Sequence, residues 1–195
     1  MKSKSIHIEL PSWLQKYLID VPEFFVTREE RMRFAIGLSR KNIEYGTGGP
    51  FAAAVFDDNN GKLIAVGVNL VTSAGLSIAH AEMIALMQAQ LILGCFDLGG
   101  TGMPRCELVT TTAPCAMCLG AIPWSGIRSL VCGARDEDAR IFGFDEGSKR
   151  TDWISELEIR GINVVCDVLQ DEAAAVIKDY NSKGGVLYNG RCETK

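Results

Sequence analysis

No stretch of this chain concentrates lysine and arginine, which weighs against a nucleic-acid partner, because a phosphate backbone is gripped mainly through basic clusters. The formal charge of −4 and the pI near 5.3 point the same way. The short basic pieces, Lys2 with Lys4 and Lys149 with Arg150, read as solvated surface. Also missing are an apolar run near the roughly twenty residues of a membrane span and an N-terminal apolar core with a cleavage site, so no membrane partner is expected. Long polar tracts, internal repeats and linkers are absent too. With 195 residues, 47% of them hydrophobic, the chain is expected to fold throughout as one domain over 1–195, with an N-terminal arm over 1–26. Seven cysteines, an odd number at scattered spacing, argue against a disulfide framework and for a reducing, cytoplasmic setting. Cys95, Cys106, Cys132, Cys166 and Cys192 are expected to be small buried hydrophobes.

Periodicity places the elements. Trp13, Leu14, Tyr17 and Leu18 follow Pro11, in a first-turn position, and predict a short docking helix over 10–19. Thr27 and Glu30 form a capping-box pattern opening a long amphipathic helix, with Met32, Ala35, Ile36 and Ile43 on one face, that ends at the glycines 46, 48 and 49. Strands over 51–56 and 63–68 flank the turn residues of 57–61 and make a hairpin. A polar loop through Ser77 leads to a helix from His80 to about Leu93. A buried strand over 108–112, a helix over 114–123 and a strand centred on Leu130 and Val131 follow. The glycine-spaced stretch 135–149 is long for a simple connection and is expected to be a functional loop with one helical turn. A helix over 153–159, a strand over 162–165 and a last helix over 171–180, capped by Asp171, complete the order. It implies an α/β fold, a three-layer α/β/α sandwich around a mixed five-stranded sheet.

Two stretches carry the chemistry, His80-Ala81-Glu82 and Pro114-Cys115-Ala116-Met117-Cys118. Cys115 and Cys118 are three apart at a helix start, so their sulfurs share one side, and the positive helix end favours the thiolate. Two thiolates and the His80 imidazole are a three-ligand zinc set that leaves the fourth tetrahedral position open, as catalytic zinc sites do. Two thiolates also nearly cancel the charge of the ion, so a base is wanted, and Glu82 is close enough to serve without binding the metal. The pattern H-x-E followed by P-C-x-x-C is the signature of zinc-dependent nucleobase deaminases.

On these residues the chain resembles the cytidine deaminase superfamily over roughly 28–177, and within it the bacterial guanine deaminase group, some of whose members also act on the triazine ammeline. The likeness extends to Gly48-Gly49-Pro50-Phe51-Ala52-Ala53-Ala54-Val55, similar to a first-strand motif whose Phe lies against the substrate ring, here Phe51. By resemblance Asn69 would hydrogen-bond that ring, the Ala81 backbone would meet the base, and Trp124 would line the guanine pocket. Glu146, in Gly143-Phe144-Asp145-Glu146-Gly147, would shuttle protons to the leaving ammonia beside Glu82, with Asp145 as the rival for that role. Tyr188 falls in the stretch Gly185-Val186-Leu187-Tyr188-Asn189, similar to the C-terminal segment, here 184–195, that closes over the site. The resemblance thus implies one zinc per subunit, a small nucleobase as partner, guanine foremost, and a homodimer. One departure is Ala113, where many relatives carry Glu before the Pro-Cys pair.

Three other readings remain. A tRNA adenosine deaminase shares the zinc motif, but the acidic balance and lack of a basic C-terminal extension oppose it. A free cytosine or cytidine deaminase fits the second acidic segment less well. A zinc-stabilised binding module without turnover would have no need of Glu82.

Overall fold

Thr27 and Glu30 do cap each other: the Thr27 hydroxyl accepts from the Glu30 amide, and the Glu30 carboxylate accepts from the amide of Thr27. In the computed structural model, which describes residues 5–190, that box opens α2 (Arg28–Glu44), preceded by the short α1 (Ser12–Ile19). Pro11 caps α1 rather than entering its first turn.

The hairpin forms as β1 (Ala52–Asp57) and β2 (Leu63–Val68), paired antiparallel. After β2 come a four-residue helix α3 (Val71–Ala74), α4 (Ala81–Leu93), β3 (Cys106–Thr112), α5 (Ala116–Ser125) and β4 (Ser129–Ala134). Then follow α6 (Asp136–Ile141), α7 (Trp153–Ile159), β5 (Asn163–Val165) and α8 (Gln170–Ser182). The sheet order is β2-β1-β3-β4-β5; β1 runs against both neighbours, while β3, β4 and β5 are parallel. The mixed five-stranded sheet is therefore as expected.

Alternation along β1 shows how the layers arise. Ala52, Ala54 and Phe56 point into one core with α1, α2 and α8, whereas Ala53 and Val55 point into the other with α4, α5 and α7. The second layer sits close because Gly67 has no side chain; a Cβ there would collide with the Ala81 carbonyl. These connections bring the start of β1, the ends of β2 and β3, and the first turns of α4 and α5 to one edge of the sheet.

Several local expectations need correction. Leu169, in a left-handed conformation, caps α8, so Asp171 lies in its first turn, where a carboxylate complements the helix dipole instead. The polar loop before His80 contains α3, too short for periodicity to reveal; the helical turn expected in 135–149 is there, as the six-residue α6. Lys149 is not solvated: its side chain is 4% exposed, held by partners distant in sequence. Cys106 and Cys132 are buried, but Cys95 and Cys166 are only half-buried. Cys192, Lys2 and Lys4 lie outside the described residues. Among the described residues no helix is long and apolar enough to cross a membrane.

Candidate active site

β2 and β3 end on the same edge, and each leads to a helix whose N-cap is a candidate ligand: His80 for α4 and Cys115 for α5, with Cys118 in the first turn of α5. His80 Nδ1 lies 3.5 Å from the Cys115 sulfur and 3.7 Å from that of Cys118. A tetrahedral zinc with ordinary Zn–S and Zn–N bonds requires an S···N edge of about 3.6 Å. The donor triangle therefore fits that ion, and among the described residues it is the one cluster of this kind.

The electrostatics show why a cation belongs there. A hydrogen bond from Cys118, opposed by burial and helped by His80, lowers the Cys115 thiol to about 4, and Cys118 is pushed far up by the same bond and by burial. Burial works to lower the His80 pKa, but the Cys115 thiolate and Glu82 raise it overall. A dication among these groups removes the remaining thiol proton and takes up the negative charge.

Both acids named from the sequence line the same cavity of about 150 Å³, and each is 6% exposed. Burial, with the Cys115 thiolate next, raises the Glu82 pKa; the same causes in the same order, joined by Glu82 and Asp136, lift Glu146 to about 8 against the pull of Lys149. Asp145 reaches the rim but is exposed, its carboxylate accepting from the Gly147 amide at 2.9 Å.

Phe51 forms the aromatic wall with Phe144, 4.9 Å between ring centroids and nearly perpendicular, and Tyr188 continues it 5.6 Å from Phe144. Asn69 is 1% exposed, and its Oδ1 accepts from the amides of Gly49 at 3.3 Å and Val71 at 3.2 Å. Its amide nitrogen, with no partner among the described residues, is oriented as a donor into the cavity. Asn189 ties the tail down, accepting from the Asp145 amide at 2.9 Å and donating to the Gly143 carbonyl at 2.7 Å.

One residue expected here is elsewhere. Trp124 is 88% exposed on α5 and outside the cavity wall, because α5 turns that position away from the sheet. Ala81 is fully buried with its carbonyl toward Gly67, and it lies between His80 and Glu82, which line the cavity. Others were not foreseen: Ser77, Thr110, Thr112, Phe144, Asn189 and Gly190. Three consecutive threonines ending a strand beside Pro-Cys were the available signal for Thr112. The Thr112 hydroxyl and the Tyr188 phenol are buried without a protein partner among the described residues, so this small cavity is built for a ligand with polar edges.

Known proteins share this architecture. Residues 26–134 match the cytidine and deoxycytidylate deaminase zinc-binding region. The guanine deaminase of Bacillus subtilis is 36% identical over 121 residues, 62% of this chain and 73% of that protein. A solved structure of guanine deaminase from Nitrosomonas europaea superposes with TM-score 0.88 at 45% identity, covering 93% of this chain and 99% of that one. The protein NE0047 in complex with 2,6-diaminopurine superposes with TM-score 0.88 at 48% identity over 95% of this chain and 97% of that one. With the His-Cys-Cys triangle, the buried acid beside it and this extent of likeness in hand, the chain belongs to the cytidine and deoxycytidylate deaminase zinc-binding family.

Proposed function

We propose that this protein hydrolytically deaminates guanine, giving xanthine and ammonia. The observation that carries the reading is that two buried carboxylic acids, Glu82 and Glu146, line one aromatic-walled cavity together with His80 and Cys115, whose donor triangle the buried Cys118 completes. Likeness along nearly the whole chain to a guanine deaminase supports guanine as the base. The cavity, about 150 Å³, is below the ~300–1,000 Å³ of pockets for drug-sized ligands, which suits a free base better than an anticodon loop.

A zinc ion held by His80, Cys115 and Cys118 supplies Lewis-acid activation of water when bound. Phe51, Phe144 and Tyr188 offer flat apolar faces to a planar ring, and the Asn69 amide offers a donor to one of its acceptors. Glu82 takes a proton from the attacking water and delivers it to the ring nitrogen beside C2. Glu146, whose carboxyl is pushed up first of all by burial, hands a proton to the departing amine. The C2–O bond forms, the C2–N bond breaks, the C2 hydroxyl returns its proton to Glu146 as the carbonyl forms, and the products are xanthine and ammonia.

The α4 and α5 face exposes Met87, Leu91, Ile92 and Trp124, with Phe96 beside them, which supports a homodimer through this face. Six free cysteines among the described residues support a reducing, cytoplasmic setting. Ammonia release from guanine, ammeline, adenine, cytosine, cytidine and a tRNA anticodon stem tests the substrate. Guanine should react with appearance of xanthine; turnover of another member with guanine inert would overturn the substrate and leave the reaction class.

A further inference from the structure

Lys149 reads as a surface charge in the sequence, yet its side chain is 4% exposed, and an ammonium at such depth requires compensation. Its partners are the Asp136 carboxylate at 2.5 Å, the main-chain carbonyl of Pro114 at 2.7 Å and the face of Trp153, 5.1 Å from the ring centroid. The Pro114 carbonyl belongs to the peptide that enters Cys115, so this bond fixes the backbone immediately before one thiolate. A second bond lies on the other side of Cys115: the Ala116 amide donates to the carbonyl of Glu146 at 2.9 Å. Gly147, at φ +70°, keeps that approach close, since a Cβ there would come within 2.9 Å of the Ala116 Cβ. The segment carrying Glu146 is therefore fastened to the segment carrying Cys115 at two points that bracket the sulfur.

The buried ammonium has three N–H donors to satisfy, and Asp136 does not take them all. One of the remaining donors goes to a carbonyl one residue before a ligand rather than to any other acceptor, and that choice sets a distance between ligand and acid. Resting on the deaminase reading of this site, we propose that Lys149 is a positioning residue that holds the Cys115 thiolate in place relative to Glu146. It touches neither the base nor the ligand atoms; it acts through the Pro114 carbonyl.

The test compares Lys149→Met with the double variant Asp136→Leu/Lys149→Met, which removes both charges so that no buried carboxylate is left unpaired. In Lys149→Met, kcat on guanine should fall about 10–100-fold with KM within about twofold, and zinc affinity in chelator competition should drop by a similar factor. The double variant should recover thermal stability but neither kcat nor zinc affinity, because the Pro114 carbonyl is still unheld. Zinc affinity and kcat near wild type in Lys149→Met, or their return together with stability in the double variant, would reduce Lys149 to half of a structural ion pair. If the wild type releases no xanthine from guanine, the substrate reading fails, and the zinc measurement still decides for or against Lys149.

Discussion

The carbonyl of Glu146 accepts a hydrogen bond from the amide of Ala116 at 2.9 Å, so the second acid of the cavity and the residue next to the Cys115 thiolate share one backbone contact across thirty positions of sequence. Neither acid is free to drift relative to the ligand triangle: Glu82 lies in the first turn of the helix that His80 caps, and Glu146 is latched to the helix that Cys115 caps. Preorganisation of this kind removes reorganisation from the barrier of a proton-transfer reaction.

Glu82→Gln keeps the size of the side chain and removes the base. The variant should bind zinc and melt like the wild type while kcat falls by about 10²–10⁴-fold. Steady-state xanthine formation beside metal analysis checks this, and near-normal turnover would remove Glu82 from the proposed role.

Cys118→Ser replaces a soft ligand that is fully buried. Metal content measured by atomic absorption should fall well below one zinc per chain, and added zinc should restore activity to chelator-treated wild type but not to this variant. Stoichiometric zinc in the variant would mean the ion sits elsewhere.

A Cβ at Gly49 would collide with the Tyr188 hydroxyl. Gly49→Ala should therefore push the tail off the cavity and raise KM for guanine about tenfold or more, with zinc content unchanged. Tyr188→Ala measured in parallel should give a KM effect of the same sign; an unaltered KM in both would detach the tail from binding.

The raised pKa of Glu146 makes a statement about stability in metal-free protein. Burial, then the Cys115 and Glu82 charges, lift it from 4.5 to about 8, so its contribution is intact below 4.5 and lost as pH rises through about 8, where the folded state must hold a buried carboxylate. Relative to Glu146→Gln, the wild type should lose a few kcal/mol between these limits. Denaturant unfolding of both proteins across pH 4 to 9 measures the difference, and parallel curves would refute the burial of a protonated acid here.

Trp124 stands 88% exposed on the apolar face of α4 and α5. Trp124→Arg should weaken a homodimer at least tenfold in sedimentation or light scattering while leaving the fold unaltered. A monomeric wild type would assign that face to another role.

Much of this was legible along the chain because the relevant physics is local. The Thr27–Glu30 box and the hairpin at 57–61 depend on neighbours within a few residues, and they form as the pattern predicts. Asp171 misled because Leu169, an unusual residue for a left-handed conformation, took the cap one residue before the helix. α3 escaped because four residues are too few to establish a period.

What the sequence determined by itself is the donor set: one imidazole, two thiols at helical spacing and an acid two residues past the histidine, the residue types that a zinc ion and a proton-transferring base would call for. Only the tertiary structure decided that Lys149 is buried against Pro114, that Trp124 faces outward and that Thr112 lines the cavity. Burial is settled by which distant segments come to lie against a residue, and no spacing within a segment encodes that.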